Sequence, residues 1–163
     1  MPSGDLFMLT LRPITPADQE FLFCVYASTR QEELAITDWS GAQKEVILHQ
    51  QFAAQHQYYQ EYYTGSTFDI IEVDGQPAGR LYLARWADEF RIIDIALLPE
   101  FRRRGLGQRL LQDILVKAGK AGLPVTIHVE RNNPALSLYT DLGFELAEDK
   151  GVYLFLKWEP EHA

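Results

Sequence analysis

At Pro99 the hydrophobic period of this chain changes. Upstream, from Phe68 to Leu98, apolar residues alternate with polar ones or cluster in short β-branched runs broken at Asp74-Gly75 and Ala87-Asp88. That is the pattern of three consecutive strands joined by tight turns. Downstream, Leu106, Leu110, Leu111, Ile114, Leu115 and Ala118 recur at helical spacing, which predicts an amphipathic helix over Gly105–Ala121 with Gly122 as its stop. A strand meander followed by a helix with one apolar face packs as a layer of helix on a sheet.

The rest of the chain extends this pattern. A strand is expected over Phe7–Ile14, and Thr15-Pro16-Ala17-Asp18 then supplies an N-cap, a proline at the first helical position and an acid in the first turn of a helix over Pro16–Ser28. A second, long helix is expected over Ala42–Tyr63, ended by Thr64-Gly65-Ser66. The meander strands are Phe68–Val73, Ala78–Trp86, in which Gly79 marks a bulge, and Phe90–Leu98. After the amphipathic helix come a strand over Pro124–Glu130, a short helix capped by Asn133, begun by Pro134 and ended by Gly143, and a hairpin of Phe144–Ala147 with Val152–Lys157, turning at Glu148–Gly151. The order βααβββαβαββ, without repeats or a linker, is that of a mixed α+β sandwich forming a single domain over residues 1–163.

Composition bounds the partners. The 163 residues carry 23 acidic against 15 basic side chains, a net charge of −8 that repels nucleic acid and steers cationic partners inward. No apolar run approaches the roughly 18 residues of a membrane span, and Met1–Asp5 lacks a signal-peptide pattern; the expectation is a cytoplasmic protein without membrane contact. Cys24 excludes an intramolecular disulfide and, set between Phe23 and Val25, reads as a small core hydrophobe. His49 and His56 lack companion acids or a third histidine at ligand spacing, so no metal site is expected.

Against this acidic background Arg102-Arg103-Arg104-Gly105-Leu106-Gly107 concentrates positive charge between a strand and the first turn of a helix. Free backbone amides and the positive end of the helix make such a place an anion site, glycine lets a phosphate approach the main chain, and arginine adds fork-shaped donors. A P-loop would need Gly-Lys-Ser/Thr and a dinucleotide fingerprint a third glycine where Leu110 stands; neither is present.

A second segment, Asn133-Pro134-Ala135-Leu136-Ser137-Leu138-Tyr139-Thr140-Asp141-Leu142-Gly143-Phe144 behind the strand Val125–Val129, resembles the second signature of the GNAT superfamily of N-acetyltransferases. The arginine-glycine hexapeptide resembles the first, and Ile92–Pro99 is similar to the family's central strand. The resemblance implies a central, mostly antiparallel sheet flanked by helices, with two splayed central strands. It implies acetyl-coenzyme A as cosubstrate and transfer of the acetyl group to a primary amine by direct attack in a ternary complex. Arg102, Arg103, Arg104, Gly105, Leu106, Gly107 and Gln108 would then hold the pyrophosphate. Leu97 and Leu98 would offer main-chain groups to pantetheine, with one amide near them facing the thioester oxygen. Asn133, or Asn132 beside it, would lie near the cofactor, and Tyr139 would be the general acid.

The general base is less direct, because Arg91 stands where several relatives place a glutamate. On the neighbouring strand Thr126, His128 and Glu130 alternate with Val125, Ile127 and Val129, which puts His128 on the face away from the core, where it would titrate in the useful range. Asp94, Glu130 or a held water are the rival bases. The acceptor is expected to be a small-molecule or peptide amine, cationic if Glu32, Glu33 and Glu61 line its wall; a homodimer is left open. A catalytically silent acyl-coenzyme A sensor is the competing reading, since it needs the phosphate loop and neither acid nor base.

Overall fold

The computed structural model describes residues 7–161, and in it the strand-forming runs make one seven-stranded sheet in the order β1-β2-β3-β4-β5-β7-β6. The strands are β1 Leu9–Pro13, β2 Thr67–Val73, β3 Gln76–Arg85, β4 Phe90–Leu97, β5 Val125–Glu130, β6 Glu145–Asp149 and β7 Tyr153–Trp158. The helices are α1 Gln19–Ser28, α2 Gln31–Ala35, α3 Gly41–Tyr62, α4 Leu106–Ala121 and α5 Leu136–Asp141. The expected α+β architecture, a mostly antiparallel sheet flanked by helices, is borne out; the short α2 is an addition that the sequence pattern does not reveal.

By chain contacts the fold divides into two compact units: the segment up to Leu81 with Ile95–Arg102, and Tyr82–Asp94 with the segment from Arg103 onward. In the first, β1 pairs antiparallel with β2 from Leu9↔Val73 to Pro13↔Asp69. Leu22 and Tyr26 of α1, Leu48 and Phe52 of α3 and Ile70 of β2 form its core. Thr15 caps a single turn of 3-10 helix, Pro16–Asp18, from which α1 continues. The Asp18 carboxylate accepts both terminal nitrogens of Arg12 at 2.9 Å, while Arg12 Nε reaches Glu72 at 2.9 Å. Helix α3 opens with a Ser40/Gln43 capping box. Cys24 corrects an expectation: it is exposed, because the buried positions of α1 are Leu22, Val25 and Tyr26 and residue 24 projects from the other side of the helix.

In the second unit α4 buries the six apolar residues read from its period, and Gly122 closes it in the left-handed conformation at φ 70°. Strand β5 is internal. It pairs antiparallel with β7 along its whole length, from Val125↔Trp158 to Glu130↔Tyr153. Its parallel pairing with β4 runs from Phe90↔Val125 to Ile92↔Ile127 and goes no further. The ladder between the two central strands thus stops partway, as splayed strands require. The last hairpin turns later than expected, because a bulge between Leu146 and Glu148 adds a residue to β6 and carries the strand on to Asp149.

Candidate active site

The arginine-glycine segment folds as an uncapped helix start. Arg103 and Gly105 both adopt left-handed backbone, at φ 62° and 75°, and Gly105 is the N-cap of α4. For arginine this conformation is strained by about 1 kcal/mol or more. A left-handed residue leading into the first helical residue is a turn geometry of the kind found in anion-binding concavities. The first helical bond runs from Arg109 N to Gly105 O at 3.1 Å, and no side chain caps the helix, which leaves the amides of Leu106, Gly107 and Gln108 as first-turn donors. A Cβ on Gly105 or Gly107 would meet nothing within 4 Å, so the space beside these two glycines is open. Arg103 and Arg104 are exposed beside it. Uncapped donors, open space and two cations fit a bound pyrophosphate.

Arg102 behaves differently from its two neighbours. Its Nε donates to Leu97 O at 2.9 Å and a terminal nitrogen approaches Ser28 Oγ at 3.4 Å, so its side chain ties the end of β4 to the end of α1. Leu98 has both main-chain groups engaged, its amide with Ala78 O at 2.8 Å and its carbonyl with Phe101 N at 2.9 Å. Gly79, next to Ala78, lies so near β4 that a Cβ there would stand 2.1 Å from Ala96 O.

Tyr139 is 4 % exposed and its ring packs edge-on against Phe144, centroids 5.5 Å apart. Burial, with the nearby Asp94 carboxylate adding to it, pushes the phenol well above the ordinary tyrosine value. Asn133 corrects the expected cap. The helix begins at Leu136 with Ala135 at its cap, and Asn133 instead folds the turn before it, its Oδ1 accepting from Ala135 N at 2.8 Å. Asn133 is half-buried and Asn132 is exposed.

His128 lies on β5 opposite Phe155 of β7, with ring centroids 4.6 Å apart. The residue remains exposed, yet packing on Phe155 removes water from part of the ring. That desolvation, followed by the charges of Arg91 and Lys150, holds its pKa below the ordinary histidine value, and Glu148 and Glu89 oppose the shift. Arg91, paired with Thr126 in the β4–β5 ladder, donates through Nε to Thr126 Oγ1 at 2.6 Å and meets Glu89 at 3.4 Å. Its guanidinium also lies over Trp86 and Phe155. Thr126, expected on the open face with His128, is 2 % exposed because this arginine covers it. Sequence reasoning missed Glu89 and Lys150. Glu89 had a signal, its place two residues before Arg91 at the entry to β4; Lys150 had none, since a tertiary turn brings it to His128.

Among the described residues no group of three or more His, Cys, Asp or Glu could hold a metal ion, and no helix is long and apolar enough to cross a membrane.

The fold is that of known N-acetyltransferases. The PaiA N-acetyltransferase of Thermoplasma acidophilum, solved in complex with coenzyme A, superposes with a TM-score of 0.70 over 93% of this chain and 99% of its own, at 19% identity. The ribosomal-protein-S18-alanine N-acetyltransferase of Escherichia coli does so with a TM-score of 0.60 over 96% of each chain, at 20% identity. Identities this low establish the fold alone. In sequence, a Salmonella typhimurium [ribosomal protein bS18]-alanine N-acetyltransferase is 40% identical over 69 residues, 40% of this chain and 46% of that protein. An uncharacterized Mycobacterium leprae protein is 37% identical over 57 residues, 35% of this chain and 16% of the relative, so the matches span less than half of either curated protein. Residues 31–144 match the acetyltransferase (GNAT) family, and the chain belongs to that family.

Proposed function

We propose that the chain is one acetyltransferase domain over residues 1–163, acting in the cytoplasm on acetyl-coenzyme A and a primary amine that attacks directly in a ternary complex. The observation that carries this reading is the uncapped start of α4 with its open glycines and left-handed Arg103 and Gly105. The donor supplies the acetyl group as a thioester. Amides of Leu106, Gly107 and Gln108, with Arg103 and Arg104, take up the pyrophosphate charge, while Arg102 shapes the loop through Leu97 O. Because the Leu98 amide is engaged, the Leu97 amide is the better donor to the thioester oxygen. Tyr139, held protonated, gives its proton to the leaving thiolate. His128, held neutral, takes the proton from the acceptor ammonium. The side amide of Asn133 is left free by its turn to donate toward the cofactor.

Between a small-molecule and a peptide amine, the acceptor reading moves toward a peptide or protein α-amine. Glu33 is paired with Arg30 at 3.0 Å and Glu61 with the Gln57 amide at 3.1 Å, so two of the three acids expected to draw a cation are engaged locally. The two S18-alanine N-acetyltransferases among the relatives support the same class. The test is thiol release from acetyl-coenzyme A with peptides bearing N-terminal alanine, peptides with an internal lysine, free amino acids and polyamines. Release with the N-terminal peptides is expected; release with none of them, alongside retained coenzyme A binding, makes the chain a sensor.

A further inference from the structure

Lys150, in the turn after β6, places its Nζ 3.2 Å from His128 Nε2. The same ammonium stands 5.2 Å from the centre of the Phe155 ring on which His128 packs. A lysine ammonium has three donors and no acceptor. The contact is therefore a hydrogen bond only when Nε2 is unprotonated, and the ring proton of a neutral imidazole then sits on Nδ1. We propose that Lys150 is a positioning residue for His128: its ammonium donates to Nε2 and fixes the imidazole in the neutral Nδ1–H tautomer.

The surrounding charges agree. From β4, Arg91 reaches over the same Phe155 ring at 5.2 Å. Glu89 is tied to Arg91 and to the Thr126 hydroxyl, and Glu148 on β6 is the other opposing acid. On β7, Lys157 is neutralised by Glu159 at 3.1 Å. On β5 itself, Glu130 is the next residue on the same face. Protonating His128 would break the bond to Lys150 and leave two cations in contact. Lys150 is also a primary ammonium, so it fills at Nε2 the place that an acceptor ammonium would take, and the acceptor must displace it to deliver its proton. This last step rests on the reading of His128 as base; the tautomer rests on the contact alone.

Long-range proton–nitrogen NMR of the imidazoles in the labelled full-length chain reads tautomer and midpoint together. Wild-type His128 is expected as Nδ1–H with a midpoint below 6.5. In Lys150→Met the midpoint should rise and the Nδ1–H preference should be lost. Lys150→Arg, which keeps a donor, should retain the wild-type tautomer. An Nε2–H tautomer in the wild type, or an unchanged tautomer and midpoint in Lys150→Met, overturns the proposal. If the NMR midpoint moves and the acidic limb of the rate profile moves with it, both readings hold. An NMR shift with an unmoved limb supports the role of Lys150 and removes His128 as base.

Discussion

Gly79→Ala is the substitution whose consequence the structure fixes most tightly. The new Cβ would stand 2.1 Å from Ala96 O, 2.9 Å from Leu97 Cα and 3.1 Å from Ala96 C, all main-chain atoms that no rotamer change can move. An ordinary carbon–oxygen contact is longer by roughly 1 Å, so β3 and β4 must separate by about that much. The neighbouring bond from Leu98 N to Ala78 O, now 2.8 Å, would lengthen with them. Overpacking against side chains costs about 1–3 kcal/mol; with backbone on the far side and a ladder bond strained, about 3 kcal/mol is expected. With an m-value near 2 kcal/mol/M, that lowers the urea midpoint by about 1.5 M. Gly41→Ala is the control: it adds the same methyl group at the first residue of α3, where nothing lies within 4 Å, and should cost nothing. Gly79→Ala should also weaken coenzyme A binding, because Leu97 sits on the displaced strand. A Gly79→Ala midpoint within about 0.3 M of wild type, at unchanged m, would refute the close-approach reasoning.

Gly107→Glu puts a carboxylate into the open space at the start of α4, where it complements the helix dipole and repels phosphate. Calorimetry should show coenzyme A affinity down by about 100-fold or more while thermal stability is kept; unchanged affinity would remove the cradle assignment. Tyr139→Phe should lower turnover about 100-fold at unchanged coenzyme A affinity, and full turnover would exclude it as the acid. Asp18 is depressed from 3.8 to about 2, chiefly by its hydrogen bonds to Arg12. A depressed carboxylate stabilises the fold above its unfolded pKa and loses that contribution as pH falls through the folded one. Melting temperature should therefore drop between pH 3.8 and about 2 in the wild type, and less steeply in Arg12→Met.

The sequence by itself determined the kinds of elements and their order, because those follow from forces within a few residues. The buried face of α4 was legible from its period and Gly122 as its stop from the need for glycine where the chain turns at a helix end, whereas Gly105, read as the first helical residue, is the left-handed cap before it. Local signals failed where two of them competed. Asn133-Pro134 reads as a cap with a proline behind it, yet the side chain closed a turn two residues before the helix, and Cys24 among apolar neighbours was turned outward by the helical period. Tertiary structure alone decided which groups meet. Lys150 reaches His128 across 22 residues of chain, Asp94 acts on Tyr139, and Gly79 admits Ala96. Each meeting depends on strand register, on the bulge in β6 and on where the β4–β5 ladder stops. A shift of one residue in register exchanges the two faces of a strand, and register is set by the summed pairing of whole strands, so no local stretch of sequence encodes it.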